Sequence, residues 1–408
     1  MTNIVVKIDS SSLSTPEKIE QIAKRIVEEK KLGRNVIAVV PSMELIDDMF
    51  LQQAYLLSDK PSKRELHVLD SINAQIASSL LAIAVQKNGF KAISLTGWQA
   101  GIQTVESNNN VLIDNINQKF IFERIKKGEI VIIAGSQGID KKNDILTLGD
   151  GGPETIAVAI GAAIQAQRIE IYTNQDGIYT ADPNIVKEAR KLKQISYDEM
   201  LELANLGSQI IHPRAVELAK RYKMPLIVRS STENAKGTMI KGEVDMEKNL
   251  VVRGVAYEAD IIRLTVGYDS YEYSSLATIF STLAQHNIDV DIIVQAVIDG
   301  VKPTVSFSIA KGDFAEAIKV LEKNKAALGF SFADFEVGLA KVSIVGSGMV
   351  SNPGVAARMF DRLRKENILV KMVSTSEIKV SVVVPQDEMV KAANALHDEF
   401  NLVEELVN

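Results

Sequence analysis

The chain has 408 residues, 46% of them hydrophobic and 24% charged, which is enough for two to four domains with substantial cores. A net charge of −6 supplies no broad basic field for nucleic acid, and the absence of cysteine excludes disulfides, thiol catalysis and thiolate metal sites. The four histidines are scattered, so no metal site is expected, and no uninterrupted apolar run is long enough to cross a bilayer.

The first residues, MTNIVVKIDSSS, read as a short β-like run rather than a signal peptide, and a cytoplasmic protein is the expectation. Apolar runs at 3–8, 35–40, 91–95, 129–134, 168–172 and 225–229 predict strands. Amphipathic stretches at 15–31, 66–88, 154–166 and 196–206 predict helices between them. This alternation predicts an α/β domain, a mostly parallel sheet covered by helices on both faces, with ligands at the carboxyl ends of the strands. Polar and charged residues take over at 235–249, which predicts a linker.

Beyond it the sequence repeats. Ala277, Phe280, Leu283, Asn287, Ile288 and Val290 recur 80 residues later as Ala357, Phe360, Leu363, Asn367, Ile368 and Val370. Each copy reads as strand, amphipathic helix, and a strand after Asn-Ile, which predicts a duplicated ferredoxin-like α+β module. Two such modules pair their sheets to form either a ligand site at the seam or only a dimerisation scaffold.

Several segments carry a resemblance. They include Leu95-Thr-Gly-Trp-Gln-Ala-Gly101, Thr147-Leu-Gly-Asp-Gly-Gly-Pro-Glu-Thr155 and Tyr172-Thr-Asn-Gln-Asp-Gly-Ile-Tyr-Thr-Ala-Asp-Pro183. Further ones are Ser196-Tyr-Asp-Glu-Met-Leu-Glu-Leu-Ala-Asn-Leu-Gly207, Ile211-His-Pro-Arg-Ala-Val216 and Val228-Arg-Ser-Ser-Thr232. Toward the end come Lys341-Val-Ser-Ile-Val-Gly-Ser-Gly-Met-Val-Ser-Asn-Pro-Gly-Val355 and Met372-Val-Ser-Thr-Ser-Glu-Ile-Lys-Val-Ser381. In order and over nearly the full length, the sequence resembles aspartokinases, which join an amino-acid-kinase domain to two ACT domains. The resemblance implies a kinase-like domain at 1–240 and ACT domains at 250–338 and 339–408.

The resemblance also implies site residues, several of them substituted. The family's Lys-Phe-Gly-Gly-Thr-Ser stands here as Lys7-Ile-Asp-Ser-Ser-Ser12, so Lys7 is kept while Asp9 and Ser10 replace the glycines. Two like charges ~4 Å apart repel by about 4 kcal/mol near a surface, which opposes nucleotide binding; Lys7 then reads equally as a phosphate-facing group or a solvated strand-end lysine. The family's Ser-Ala-Met-Gly-Lys-Ser-Thr-Asp stands as Pro41-Ser-Met-Glu-Leu-Ile-Asp-Asp48, giving Ser42 and Asp47 as substrate-binding positions. Its Gly-Glu pair falls on Asn73-Ala74, and Ala74 cannot pair an ammonium. The Arg of the glycine motif falls on Asp150 between Gly149, Gly151 and Gly152, and another family Arg falls on Gln103. An Arg fork clamps a carboxylate, whereas an Asp there repels it. The catalytic Asp falls on Asn174, the closing Arg on Asn184, and Thr173, Asp176, Gly177 and Asp182 remain as nucleotide positions.

For an effector, the resemblance implies Ser347, Met349, Asn352, Pro353, Gly354 and Val355 together with Thr375, Ser376 and Glu377. The turn Ser270-Tyr-Glu-Tyr-Ser-Ser-Leu276 departs from the family's Asp-Lys-Pro-Gly type. The expectation is an aspartokinase-like protein impaired in aspartate phosphorylation, serving as a regulatory or scaffolding paralogue through its ACT domains. The alternative is an active kinase that phosphorylates aspartate or another carboxylate acceptor with ATP and Mg²⁺; the impaired form needs neither. Expected partners are a second copy through the ACT domains, an active aspartokinase subunit and an amino-acid effector. Met246 reads either as a linker residue or as the start of a separate regulatory subunit.

Overall fold

The structure, a computed structural model, describes residues 2–107, 110–206, 210–242, 251–269, 275–298 and 302–403. It divides into two compact units, Met1–Ile178 with Lys191–Asp245, and Tyr179–Arg190 with Met246–Asn408. Met246, the part of the predicted linker from residue 243 onward, and residues 270–274 of the first ACT turn lie outside the described residues.

The first unit opens with β1 (Asn3–Lys7), α1 (Pro16–Lys31), β2 (Asn35–Val40), α2 (Glu44–Leu57) and α3 (Lys63–Lys87). It continues through β3 (Ala92–Leu95), β4 (Ile102–Ser107), β5 (Asn110–Ile116), α4 (Lys119–Lys126) and β6 (Ile130–Ala134). Then come β7 (Gln137–Ile139), β8 (Ile145–Thr147), α5 (Gly152–Ala163) and β9 (Arg168–Thr173). β10 (Gln194–Ser196), α6 (Tyr197–Asn205), α7 (Pro213–Tyr222), β11 (Leu226–Ser230) and β12 (Thr238–Lys241) complete it.

The main sheet runs β10-β12-β11-β9-β1-β2-β6-β3, and every pairing is parallel except β11 with β12. β2 and β6 are buried at every position, as strands covered on both faces must be, which is why they read as unbroken apolar runs. α1 starts where the Thr15 hydroxyl accepts the Lys18 N–H, with Pro16 in the first turn, and it lays Ile19, Ile22, Ala23, Ile26 and Val27 on the sheet. α6 starts on a reciprocal Ser196–Glu199 capping box.

Some expectations change. Thr238–Lys241, inside the predicted linker, is a strand that pairs with both β10 and β11, and Thr238 is buried. Its short run is too brief to register as a strand without its partners. The Pro41–Asp48 stretch, read from the sequence only for the substrate-binding positions Ser42 and Asp47, continues from Glu44 as helix α2; Asp47 lies on that helix, its side chain outside the described ones. The helix expected from 154 begins at Gly152, on a left-handed Gly151 cap. α3, at 25 residues, is long and apolar enough to cross a membrane by length and composition alone. Yet it buries Ala74, Ala77, Leu81, Ala82 and Val85, so it is a core helix of this unit.

Polar buried groups fix the centre of the sheet. Glu170 on β9 is fully buried between Arg168 at 2.6 Å and Arg229 at 3.3 Å. The Arg25 guanidinium lies 4.2 Å over the Tyr172 ring and donates to the Ser230 carbonyl, tying α1 to the ends of β9 and β11.

The second unit comprises β13 (Gly254–Gly267), α8 (Ser275–Gln285), β14 (Ile293–Ala296), β15 (Thr304–Ala310) and α9 (Phe314–Lys323). α10 (Lys325–Leu328), β16 (Phe332–Val345), α11 (Val355–Lys365), β17 (Met372–Thr375), β18 (Lys379–Pro385) and α12 (Met389–Glu399) follow. They form one antiparallel sheet, β14-β15-β13-β16-β18-β17. The two 14-residue strands β13 and β16 are shared: residues 261–267 of β13 pair with 332–339, and 254–258 pair with 341–345. The predicted repeat is visible in the backbone, because Asn287 and Asn367 both end their helices at φ near +56 and +59, where Asn is tolerated. Lys341, nearly buried in this sheet, bridges Glu258 at 2.7 Å and Asp291 at 2.5 Å.

Within this unit Tyr179–Arg190 packs beside β13 and α12. His397 is fully buried, its Nε2 lying 2.9 Å from the Thr180 hydroxyl. Burial pushes its pKa below the ordinary 6.5, Arg190 pushes the same way and Asp398 opposes. The folded state therefore holds the neutral ring, so its contribution is complete above about pH 6.5 and is lost as pH falls below that. Urea unfolding of wild type should show a lower midpoint at about pH 5.5 than at about pH 7.5, and His397→Gln should shrink that difference. An equal pH response in the variant would assign the acid sensitivity elsewhere.

Candidate active site

In the first unit the sequence-predicted residues gather where the parallel strands end. Lys7 closes β1, Ser42 follows β2, and Thr173 closes β9, with Thr173 in register with Ser230 of β11. In an open α/β sheet these carboxyl ends border the ligand crevice.

Lys7 is nearly buried, and its Nζ lies 2.5 Å from Glu154 Oε1 in the first turn of α5. The two side chains are 9% and 14% exposed, so each finds its counter-charge in a half-dry site. The sequence reading did not single out Glu154, although it occupies the acidic position of the glycine motif; that position was the available signal. Ahead of it, Gly149 and Gly151 adopt φ of +68 and +67, which side chains rarely tolerate. A Cβ at Gly151 would meet the His212 ring at 2.1 Å, and one at Gly152 would meet Ser136 Oγ at 2.9 Å. Glycine is therefore needed for packing there as well as for conformation. Gly149 and Asp150 are exposed at the tip of this turn. The amino end of the 12-residue helix α5, with Lys7 beside its first turn, is suited to an anion.

Two further contacts were not legible in the sequence. The Met43 N–H donates to Asn73 Oδ1 at 3.0 Å, and Asn73 Nδ2 donates to the Met43 carbonyl at 2.8 Å. Asn73 thus fixes the chain beside Ser42, while its neighbour Ala74 is buried. Lower on α3, His67 Nδ1 accepts the Thr147 N–H at 3.2 Å and lies 2.8 Å from the Thr147 hydroxyl, holding the strand that leads into the glycine turn.

At the end of β9 the Thr173 hydroxyl bonds both the N–H and the carbonyl of Gln175 at 2.9 Å, which turns the chain and leaves Asn174 exposed. Asp176 pairs with Lys191 at 2.7 Å. Gly177 packs where a Cβ would meet Thr238 Oγ1 at 2.6 Å. Near the amino end of the chain, Asp9 accepts a hydrogen bond from the Ser11 hydroxyl in the turn after Lys7.

Asp182 lies in the second unit. So do the positions for which the resemblance implies an effector. Ser347 and Met349 form a 3-10 turn, Asn352 Nδ2 donates to the Gly348 carbonyl at 2.8 Å, and Gly354 caps α11 at φ +99 after Pro353. The Val355 side chain is taken up in the core of that module. Thr375, Ser376 and Glu377 are exposed at the turn after β17, and the Gly346 N–H donates to the Ile378 carbonyl at 2.9 Å, which ties the two stretches together.

The amino acid kinase family profile matches residues 3–230, more than half of the chain, and an ACT domain profile matches 342–400. An aspartokinase of Bacillus sp. strain MGA3 is 51% identical over 98% of this chain and 97% of its own length. Aspartokinase 2 of Bacillus subtilis is 50% identical over 98% of both chains. The chain belongs to the aspartokinase family. The fold agrees: the Escherichia coli aspartokinase III crystal structure in complex with aspartate and ADP superposes with a TM-score of 0.80 at 20% identity, covering 97% of this chain and 99% of that one. The expectation that this aspartokinase-family chain is impaired finds no support among these relatives. Those at about half identity are named aspartokinases, so the alternative of an active kinase fits them better.

Proposed function

We propose that the protein is an ATP-dependent kinase of the aspartokinase family, working in the cytoplasm, that transfers a phosphoryl group to the side-chain carboxylate of aspartate or a close acceptor. The observation that carries this reading is the Lys7–Glu154 pair beside the glycine turn at the head of α5. Phosphoryl transfer asks for positioning and charge neutralisation more than for covalent help. In this reading Lys7, oriented by Glu154, neutralises phosphate oxygens, and Gly149, Gly151 and Gly152 let backbone approach the anion. Ser42, fixed through Met43 by Asn73, borders the acceptor, to which the resemblance also assigns Asp47, while Thr173, Asp176 and Gly177 shape the nucleotide side. Magnesium, when bound with ATP, supplies charge neutralisation, and the Asn174 amide oxygen is a neutral ligand available for it. Residues 1–240 serve as the kinase domain, and 250–338 and 339–408 as ACT modules that bind an amino-acid effector and join a second copy. The edge strands β14 and β17 support such pairing, with Ile293, Val294 and Val373 exposed on them.

A specific observation favours a second reading, a regulatory subunit that associates with an active aspartokinase. Asp150, Ala74 and Asn174 stand where the family resemblance implies Arg, Glu and Asp. Calorimetry with ATP–Mg²⁺ and a coupled ADP-release assay with aspartate separate the two. The kinase reading expects nucleotide binding and aspartate-dependent ADP release. ATP binding without aspartate turnover moves the acceptor to another carboxylate, and no ATP binding establishes the regulatory reading instead.

A further inference from the structure

Tyr179–Arg190 lies between Ile178 and Lys191 of the first unit, yet it belongs to the compact core of the second. Its base is closed by hydrogen bonds from Leu192 N–H to the Ile178 carbonyl at 2.8 Å and from Thr180 N–H to the Arg190 carbonyl at 2.9 Å. Its body is built into the ACT sheet. The Val255 N–H donates to the Thr180 carbonyl at 2.7 Å, Arg190 Nε to the Leu402 carbonyl at 3.1 Å, and Asn394 Nδ2 to the Ile185 carbonyl at 3.3 Å. Ala181 and Val186 are buried in the same cluster as Val255 and Leu396.

Asp182 organises the middle of this segment. Its Oδ1 accepts the Asn184 N–H at 2.9 Å and Nδ2 at 3.0 Å, and its carbonyl accepts from the N–H groups of Ile185 and Val186. Its other oxygen, Oδ2, accepts the Tyr257 hydroxyl at 2.8 Å, and Tyr257 lies on β13. Tyr257 therefore reaches Asp182 from the strand that both ACT modules share. Burial, and then the bond to Asp182, push the Tyr257 pKa up to about 12, so near neutral pH its hydroxyl stays a donor.

We propose that Tyr257 is a positioning residue for the nucleotide segment, holding the Asp182 carboxylate so that the shared ACT strand sets the conformation of 179–190. The nucleotide part rests on the kinase reading, taken together with Asp182 as the nucleotide position that the family resemblance implies. Regulation then needs no effector contact with nucleotide: a change in β13 moves the carboxylate through one hydroxyl. A purely structural role for Tyr257 would be carried by its ring, so removing the hydroxyl alone isolates the claim.

Full-length Tyr257→Phe is the test, compared with wild type in thermal melting, steady-state kinetics and hydrogen exchange. The expected result is an unchanged melting profile, a KM for ATP raised about tenfold, kcat within about twofold and an unchanged KM for aspartate. The Ile185 and Val186 amides should exchange about tenfold faster. Unchanged exchange overturns the proposal, whatever the kinetics. Faster exchange with unchanged ATP affinity overturns its nucleotide part. If wild type itself binds no ATP, the kinase reading fails, and exchange at Ile185 and Val186 still decides whether Tyr257 holds the segment.

Discussion

A Lys7→Met variant is expected to keep the fold, with a lower Tm because Glu154 loses its counter-charge, and to lose about 10²–10³-fold in kcat, the usual effect of removing one preorganised charge from a developing anion. The methionine keeps the aliphatic stem that packs at the end of β1 and removes only the ammonium that meets Glu154. The loss should fall on kcat more than on the KM for aspartate, because a phosphate contact is made most strongly as charge moves between the transferring oxygens. Glu154→Gln should lie between the two, since the amide can still accept from Lys7 but no longer balances its charge. Steady-state ADP release measures all three. Wild-type turnover with an unaffected Lys7→Met would remove Lys7 from the site and leave it a strand-end lysine.

The second large effect is on stability. Glu170→Ala is expected to destabilise the first unit by about 3–5 kcal/mol, because it leaves the Arg168 and Arg229 guanidinium groups without the carboxylate they share in the sheet. For a unit of this size that corresponds to a fall in Tm of about 10 °C. Glu170→Gln should lose less, as it retains the oxygen acceptor and most of the packing. Since β9 ends at Thr173, the same variant should weaken any nucleotide response in parallel. Calorimetric melting of the two variants checks the order, and an Ala variant as stable as the Gln variant would show that Glu170 contributes through its charge alone, with nothing from its volume or its oxygen acceptor.

The six predicted strands of the first unit stand within a residue of the observed ones, because each is a contiguous, mostly apolar run that can be read locally, and β1, β2, β6 and β9, inside the sheet, are buried at nearly every position. The Asn-Ile repeat was legible for a related reason: Asn287 and Asn367 take the same left-handed turn, so local chemistry marks each copy. Family membership was legible too, carried by glycine turns and helix caps whose spacing is local. The short elements β7, β8, β10 and β12 were not, since three or four residues acquire strand character only from the partner beside them.

The sequence by itself determined β1, β2, β3, β6, β9 and β11 and the helices α1, α3, α5 and α6 of the first unit, where the glycine turns fall, that the carboxy-terminal half is duplicated, and to which family the chain belongs. Tertiary structure alone decided that Lys7 meets Glu154, that Asn73 grips Met43, and that β13 and β16 each serve both ACT modules. It also decided that Tyr179–Arg190, kinase-like in sequence, is built into the ACT core beside Tyr257 and His397. The physical reason is one of range. Periodicity, caps and turn residues act over a few positions, whereas the partner of a buried charge or amide is set by sheet order and register, which emerge only once the strands are assembled.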